Sequence, residues 1–256
     1  MKDLETIREE IDHCDRQLVE IFERRLNAVL QVMEYKKEHK LPIFQPQREK
    51  EVIRKVTSYV KEKGFQSEVE GLYGEIMKIS RSLQSRYLYP FNIVLIGFMG
   101  CGKSSVGRRL SSLLEMDLID TDFVIEKRME MTIREIFSTM GEKEFRRLER
   151  EIIIGLQDTK NSIISCGGGI VLDPENVESL KKGGRIIWLD ASPEEIYNRL
   201  LGDKSRPLLS DLSLEDIRAL WEKRLPLYET ASHMKIRTDG KTVDEIVEEI
   251  LKYQNL

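Results

Sequence analysis

The chain is short of cysteine, of long apolar runs and of charge of either sign in excess, and each shortage removes a class of protein. Cys14, Cys101 and Cys166 are scattered through 256 residues. They make neither a zinc spacing nor a disulfide framework, so the expected setting is a reducing cytoplasm. The longest apolar stretch, Phe91 to Gly100, falls far short of the roughly 20 residues of a membrane-crossing helix, and no membrane association is expected. The opening "MKDLETIREE" is charged throughout and lacks the apolar core of a secretory signal. Through Pro90 there are 17 Lys and Arg against 16 Asp and Glu, and beyond it 24 against 29. Neither part has the basic excess of a nucleic-acid binder, so any anion site must be built from local cations. What is present, 40% apolar and 34% charged residues, suits one large domain or two modest ones, each able to bury a core.

The first ninety residues carry a helical pattern and no strand pattern. Leu4, Ile7, Ile11, Cys14, Leu18, Ile21, Arg25, Ala28, Val32 and Tyr35 follow a 3-4 spacing, which predicts one long amphipathic helix to about Lys40. "LPIFQPQ" ends it, a second helix is expected near Arg48, and a third from about Val69 to Ser85. A helix of this length spans about 55 Å, too far for two shorter partners to cover, so its seam calls for a second copy of the chain. Arg25 interrupts the seam with a permanent cation, and a buried guanidinium is costly without an anion. Lys36 lies about three turns further along the same side, while Ser80 and Gln84 form an i, i+4 polar pair on the third helix. Together they predict a polar pocket for an anion inside a helical bundle. Read alone, the heptad pattern would be only a dimerising coiled coil, with the polar residues fixing helix register.

"IREEID", "ERRLNAVLQVMEYK", "QPQRE" and "IMKISRSLQ", in that order, resemble the small all-helical chorismate mutases over nearly all of residues 3–86. The resemblance implies three helices in an intertwined homodimer, forming a domain over residues 1–88. It implies that Arg8 and Arg25 bind the substrate carboxylates and that Arg48 supports the pocket. Lys36 and Gln84 would donate to the ether oxygen, Glu49 would accept from the ring hydroxyl, and Ser80 would line the site. Gln45 stands where the family often has an acidic residue; an amide can still accept a hydroxyl proton, so binding is expected to be retuned. Because Arg8 and Arg25 point about 100° apart on one helix, a two-fold mate is expected to bring Arg8 to the pocket of its neighbour.

After Pro90 the period changes, with no flexible linker. "FNIVLI", "SIIS" and "RIIWL" are short apolar runs separated by helical segments, which predicts a parallel α/β sheet. "GFMGCGKS" fits the phosphate-cradling loop pattern: Gly97, Gly102, Lys103 and Ser104 fall in place between a strand and a helix. Four further stretches bear on the phosphate acceptor. In "LIDTDFVIEKR", strand alternation would set Asp120 and Asp122 on one side, although either could instead cap the next helix. "GEKEFRRLERE" puts Arg146, Arg147 and Glu149 on a helix; in isolation it reads as a salt-bridged surface. "SCGGGIV" lets backbone amides approach a ligand, or is simply a tight turn. "GDKSRPLLSD" reads as a loop holding Arg206, expected to close as a lid over roughly residues 202–213.

This part, from about Asn92 to Lys252, resembles shikimate kinase, implying a domain over residues 89–256 with a five-stranded parallel sheet. By resemblance Gly97, Gly100, Cys101, Gly102, Lys103, Ser104 and Ser105 hold the ATP phosphates. Ser104 would bind Mg²⁺, and Asp120 would reach it through water. Asp122 would take the proton of the attacking shikimate hydroxyl. Arg146, Gly167, Gly168, Gly169 and Arg224 would hold shikimate, and Glu149 would orient Arg146. Lys103 and Arg206 would neutralise the transferring phosphoryl group, while Arg199 would pack against adenine. The expected protein is therefore a bifunctional enzyme of aromatic amino-acid biosynthesis. Its competitors are a kinase whose helical domain only binds chorismate or prephenate, or only dimerises, and a kinase for another acid or sugar. Gln45 favours the regulatory reading, and Arg146 with Arg224 disfavours a sugar.

Overall fold

The computed structural model describes residues 2–201 and 213–252. The chain divides into two compact units, Met1–Leu88 and Tyr89–Leu256.

The first unit holds α1 (Leu4–Glu38), α2 (Pro46–Thr57) and α3 (Gln66–Leu88). Asp3 caps α1 by accepting from the Thr6 amide at 2.9 Å, satisfying one of the unpaired amides of the first turn. Lys36 and Lys37 meet the carbonyl end, and Lys40 turns the chain with φ of 53°. Helix α2 starts two residues before the expected Arg48 because Pro46 takes its first position, where a missing N–H costs nothing. Helix α3 also starts earlier than expected, since Gly64 sits in a short 3₁₀ turn (Lys63–Phe65) that leads straight into it.

Burial in this unit is unusual. Met33, Ile43 and Met77 are its buried apolar residues among those described, against Lys36, Ser80, Arg81, Gln84 and Ser85 as buried polar ones. Five polar groups around three apolar ones describe the lining of a site more than a core. Meanwhile Leu4, Ile7, Ile11, Leu18 and Ile21 along α1 are 41–62% exposed. Each forgoes roughly half of the 1.5–3 kcal/mol that full burial would supply.

The second unit is a sheet of five parallel strands flanked by helices. The strands are β1 (Asn92–Ile96), β2 (Asp117–Asp120), β3 (Ser162–Ser165), β4 (Gly184–Asp190) and β5 (Met234–Arg237), in the order β2-β3-β1-β4-β5. Ile93, Val94 and Leu95 have no exposure on either face, which is why β1 reads as a continuous apolar run. Helices α4 (Lys103–Leu114), α5 (Thr121–Met129), α6 (Ile133–Gly155), α7 (Pro174–Gly183), α8 (Pro193–Leu201), α9 (Leu214–Ala231) and α10 (Val243–Lys252) complete the unit. Parallel register aligns Leu95, Asp120 and Ser165, so the loops leaving β1, β2 and β3 open at the same edge of the sheet. A small apolar cluster of Ile125, Ile136, Phe145 and Leu148 ties α5 to α6 and fixes the faces that carry Asp122 and Arg146. None of the described helices is long and apolar enough to cross a membrane.

Candidate active sites

The phosphate loop joins β1 to α4. Gly97 has φ of 147°, and a β-carbon there would collide with the Leu189 carbonyl, so this turn admits no side chain. Gly100 and Gly102 also have positive φ, and Gly102 caps α4, whose N-terminal amides and dipole face the loop. Lys103 reaches back over it, donating to the carbonyls of Gly97 at 2.8 Å and Phe98 at 2.9 Å. Cys101 is fully buried beneath it, its Sγ 3.7 Å from the Lys103 ammonium, while Ser105 is exposed on α4. Ser104 donates to Asp120 Oδ2 at 3.1 Å, and Ser165 donates to the same oxygen at 3.1 Å.

Asp120 and Asp122 do not share a strand. Strand β2 stops at Asp120, which caps α5 by accepting from the Phe123 amide at 3.4 Å. Asp122 stands in the first turn of that helix, so the alternation expected for the pair does not apply and the helix start aims it instead. It points at the Gly167–Gly169 loop: a β-carbon on Gly167 would lie 2.5 Å from Asp122 Oδ1 and 3.3 Å from Glu149 Oε1. A β-carbon on Gly169 would lie 2.5 Å from Arg146 Nη1. Arg224 Nη1 reaches the Gly168 carbonyl at 3.4 Å, and Tyr228 donates to it at 2.5 Å. One glycine loop thus receives two guanidinium groups and a carboxylate. Gly168 also packs against the phosphate loop, where a β-carbon would meet the Met99 amide at 3.3 Å.

Arg146 is braced by Glu149 at 2.8 Å and by Glu142 at 3.3 Å. Glu149 is 1% exposed; burial pushes its carboxyl above the ordinary range, and the Arg146 charge offsets this only in part. On the nucleotide side, Arg199 donates to the Gly100 carbonyl at 3.4 Å and to the Thr238 carbonyl at 3.1 Å. Arg206 and the lid expected over residues 202–213 lie outside the described residues, except for Ser213, which caps α9.

In the helical unit, Arg25 of α1 donates to Ser80 Oγ at 2.7 Å across to α3. Lys36 donates to the Ile43 carbonyl at 2.7 Å and to Gln84 Oε1 at 3.2 Å, and Gln84 is fixed in turn by its bond to the Ser80 carbonyl at 3.0 Å. Burial lowers the pKa of both cations, opposed by Tyr73 at Arg25 and by the Glu49 charge at Lys36. Glu49 itself is engaged by a residue that the sequence reading did not single out: Arg81 Nη1 lies 2.7 and 2.6 Å from its two oxygens. The signal was available, since Arg81 is four residues after Met77 and three before Gln84 on the buried side of α3. Gln45 is half-buried at the N-cap of α2 and makes no capping bond. Arg8 and Arg48 are not brought to the pocket: Arg8 is exposed, and Arg48 is exposed and paired with Glu51 at 3.4 Å.

Fold and phosphate loop together define a P-loop kinase joined to a helical unit with a polar interior. A model of shikimate kinase matches residues 99–254, and the chain belongs to that family. A model of chorismate mutase type II matches residues 7–85, so both domains are present in one chain. Shikimate kinase of Thermodesulfovibrio yellowstonii is 47% identical over 167 residues, covering 64% of this chain and 96% of the relative. That of Caldicellulosiruptor saccharolyticus is 45% identical over 161 residues, covering 62% and 93%. Among solved structures, shikimate kinase from Acinetobacter baumannii in complex with shikimate superposes with a TM-score of 0.61 at 34% identity, covering 66% of this chain and 95% of that one. The Aquifex aeolicus enzyme gives 0.56 at 37% identity, covering 62% and 94%.

Proposed function

We propose that the chain is a bifunctional enzyme that phosphorylates shikimate with ATP and, in its helical domain, rearranges chorismate to prephenate. The observation that carries the kinase reading is the convergence of Arg146, Arg224 and Asp122 on the Gly167–Gly169 loop beside the phosphate loop. Paired guanidinium groups clamp a carboxylate, and Asp122 lies where an adjacent hydroxyl would be deprotonated. The hydroxyl oxygen attacks the γ-phosphorus of ATP, its proton passes to Asp122, and ADP leaves. Lys103 and Arg206 oppose the charge on the transferring phosphoryl group, Arg199 and Thr238 border the nucleotide, and Glu149 keeps Arg146 aimed.

Ser104 and Asp120 present a hydroxyl and a carboxylate oxygen 3.1 Å apart at the mouth of the phosphate loop. These are hard oxygen donors, and two protein oxygens beside phosphates fit Mg²⁺, which prefers such sites to an all-protein cage. When bound it would neutralise charge on the phosphates during transfer.

The mutase reading is favoured by the buried cations. Among the described residues neither Arg25 nor Lys36 has a carboxylate partner, although both lie in a half-buried or buried site. A dicarboxylate substrate supplies the missing charge. Arg25 and Ser80 would hold a carboxylate and keep chorismate compact, while Lys36 and Gln84 stabilise charge that builds on the ether oxygen as its bond breaks. The exposed apolar seam of α1 supports a homodimer, in which Arg8 of the second chain completes the pocket and the half-buried Gln45 borders it. The free cysteines fit a cytoplasmic enzyme.

Two assays on the purified protein test the proposal: phosphate transfer from ATP to shikimate, and loss of chorismate incubated alone. Both are expected. Asp122→Asn should bind ATP as the parent does yet phosphorylate shikimate about 10²–10⁴-fold more slowly; a parental rate in that variant would reduce Asp122 to a helix residue.

A further inference from the structure

Glu49 sits among cations that make different demands on it. Arg81 approaches both of its oxygens at 2.7 and 2.6 Å, whereas Lys36 senses it only through space and spends its own bonds on Ile43 and Gln84. Arg81 is 9% exposed, and its guanidinium lies over the Phe44 ring at 5.0 Å, so aromatic stacking fixes the donor while the donor fixes the carboxylate. The Glu49 side chain is only 21% exposed, leaving little water to satisfy it if Arg81 were lost. The pair also links α2 to α3 next to Ser80, which binds Arg25.

We infer that Arg81 is a positioning residue of the mutase pocket: it holds the Glu49 carboxylate oriented toward the ring hydroxyl and keeps it from collapsing onto Lys36. A carboxylate that swung to Lys36 would both vacate the hydroxyl and quench the charge needed at the ether oxygen. Arg81 therefore acts through Glu49 and need not touch substrate. The inference rests on the proposed mutase activity and deepens it.

The test is a double-mutant cycle in the full-length protein, with chorismate as substrate and folding checked by circular dichroism. Arg81→Met should lower kcat by about 10- to 100-fold, the loss expected for a charge-assisted hydrogen bond, with a smaller change in KM. Arg81→Lys, which keeps a cation over Phe44, should recover much of that loss. In a Glu49→Gln background, Arg81→Met should change kcat by less than about twofold, because the group it orients is gone. Multiplicative losses in the double variant, no rescue by lysine, or parental kcat in Arg81→Met would each overturn the inference while leaving the mutase reading intact. If Arg81→Met does not fold, Arg81→Gln with and without Glu49→Gln completes a second cycle with the same criteria. Absence of chorismate turnover in the parent overturns the mutase reading and this inference with it.

Discussion

At the scale of single residues, the most informative groups are buried cations without an anion. Lys36 is buried and Arg25 half-buried, which costs free energy for each charge unless something negative arrives, and the oxygens that meet them here are neutral. A pH dependence follows for Lys36. Burial holds it below its ordinary value of 10.5, so in the free enzyme the Lys36 ammonium, proposed to act at the ether oxygen, is lost at a lower pH than for an exposed lysine. A bound dianion favours the charged form and raises the pKa. The kcat/KM for chorismate, which reports the free enzyme, should therefore fall on the alkaline side with a midpoint below 10.5, and kcat should fall at higher pH than kcat/KM. The reverse order of the two limbs, measured in steady-state profiles, would contradict this role for Lys36.

At the scale of elements, the glycine loop after β3 organises the kinase site because it has no side chains to obstruct its neighbours. Gly169→Ala would push the Arg146 guanidinium away, since the new methyl would lie 2.5 Å from Nη1. The expected result is a KM for shikimate raised about tenfold or more, the cost of one displaced charge-assisted bond, with the KM for ATP near the parental value. Equal changes in both constants would mean that the loop deforms as a whole. Elements also show which parts of the molecule were legible. The phosphate loop and β1 announce themselves, because an apolar run ending in glycines has few other meanings. The 3-4 spacing of α1 likewise carries its own period, and Arg25 stands out by breaking it. The placement of Asp122 was not legible as strand geometry: the helix begins at Thr121 and Asp120 is spent as its cap. The spacing on α3 could have put Arg81 on the buried side, but its pairing with Glu49, 32 residues away, and that of Thr238 with Arg199, 39 residues away, are encoded by no local pattern. Helix starts shifted for local reasons, with Pro46 entering α2 in place of blocking it.

At the scale of the whole molecule, the seam of α1 and Arg8 are both exposed, and the proposed homodimer would cover one and use the other. Complementation tests it. Arg8→Ala and Arg25→Ala homodimers should each be nearly inactive as mutases, because every site lacks one arginine. A mixed dimer has one site lacking both and one lacking neither. Random mixing makes about half the dimers mixed, so activity should return to about a quarter of the parental level. No recovery after verified subunit exchange would leave Arg8 serving its own chain or none. The kinase site needs no such sharing, because its loops all arise from one unit of one chain. Two chemistries in two separately built sites is the central claim, and Lys103→Ala tests it most directly. Lys103 spans the phosphate loop and donates to the carbonyls of Gly97 and Phe98 within its own unit. Assayed on one folded preparation, the variant should lose ATP-dependent phosphorylation of shikimate by several orders of magnitude and convert chorismate at close to the parental rate. Loss of both activities in that folded variant would contradict the account.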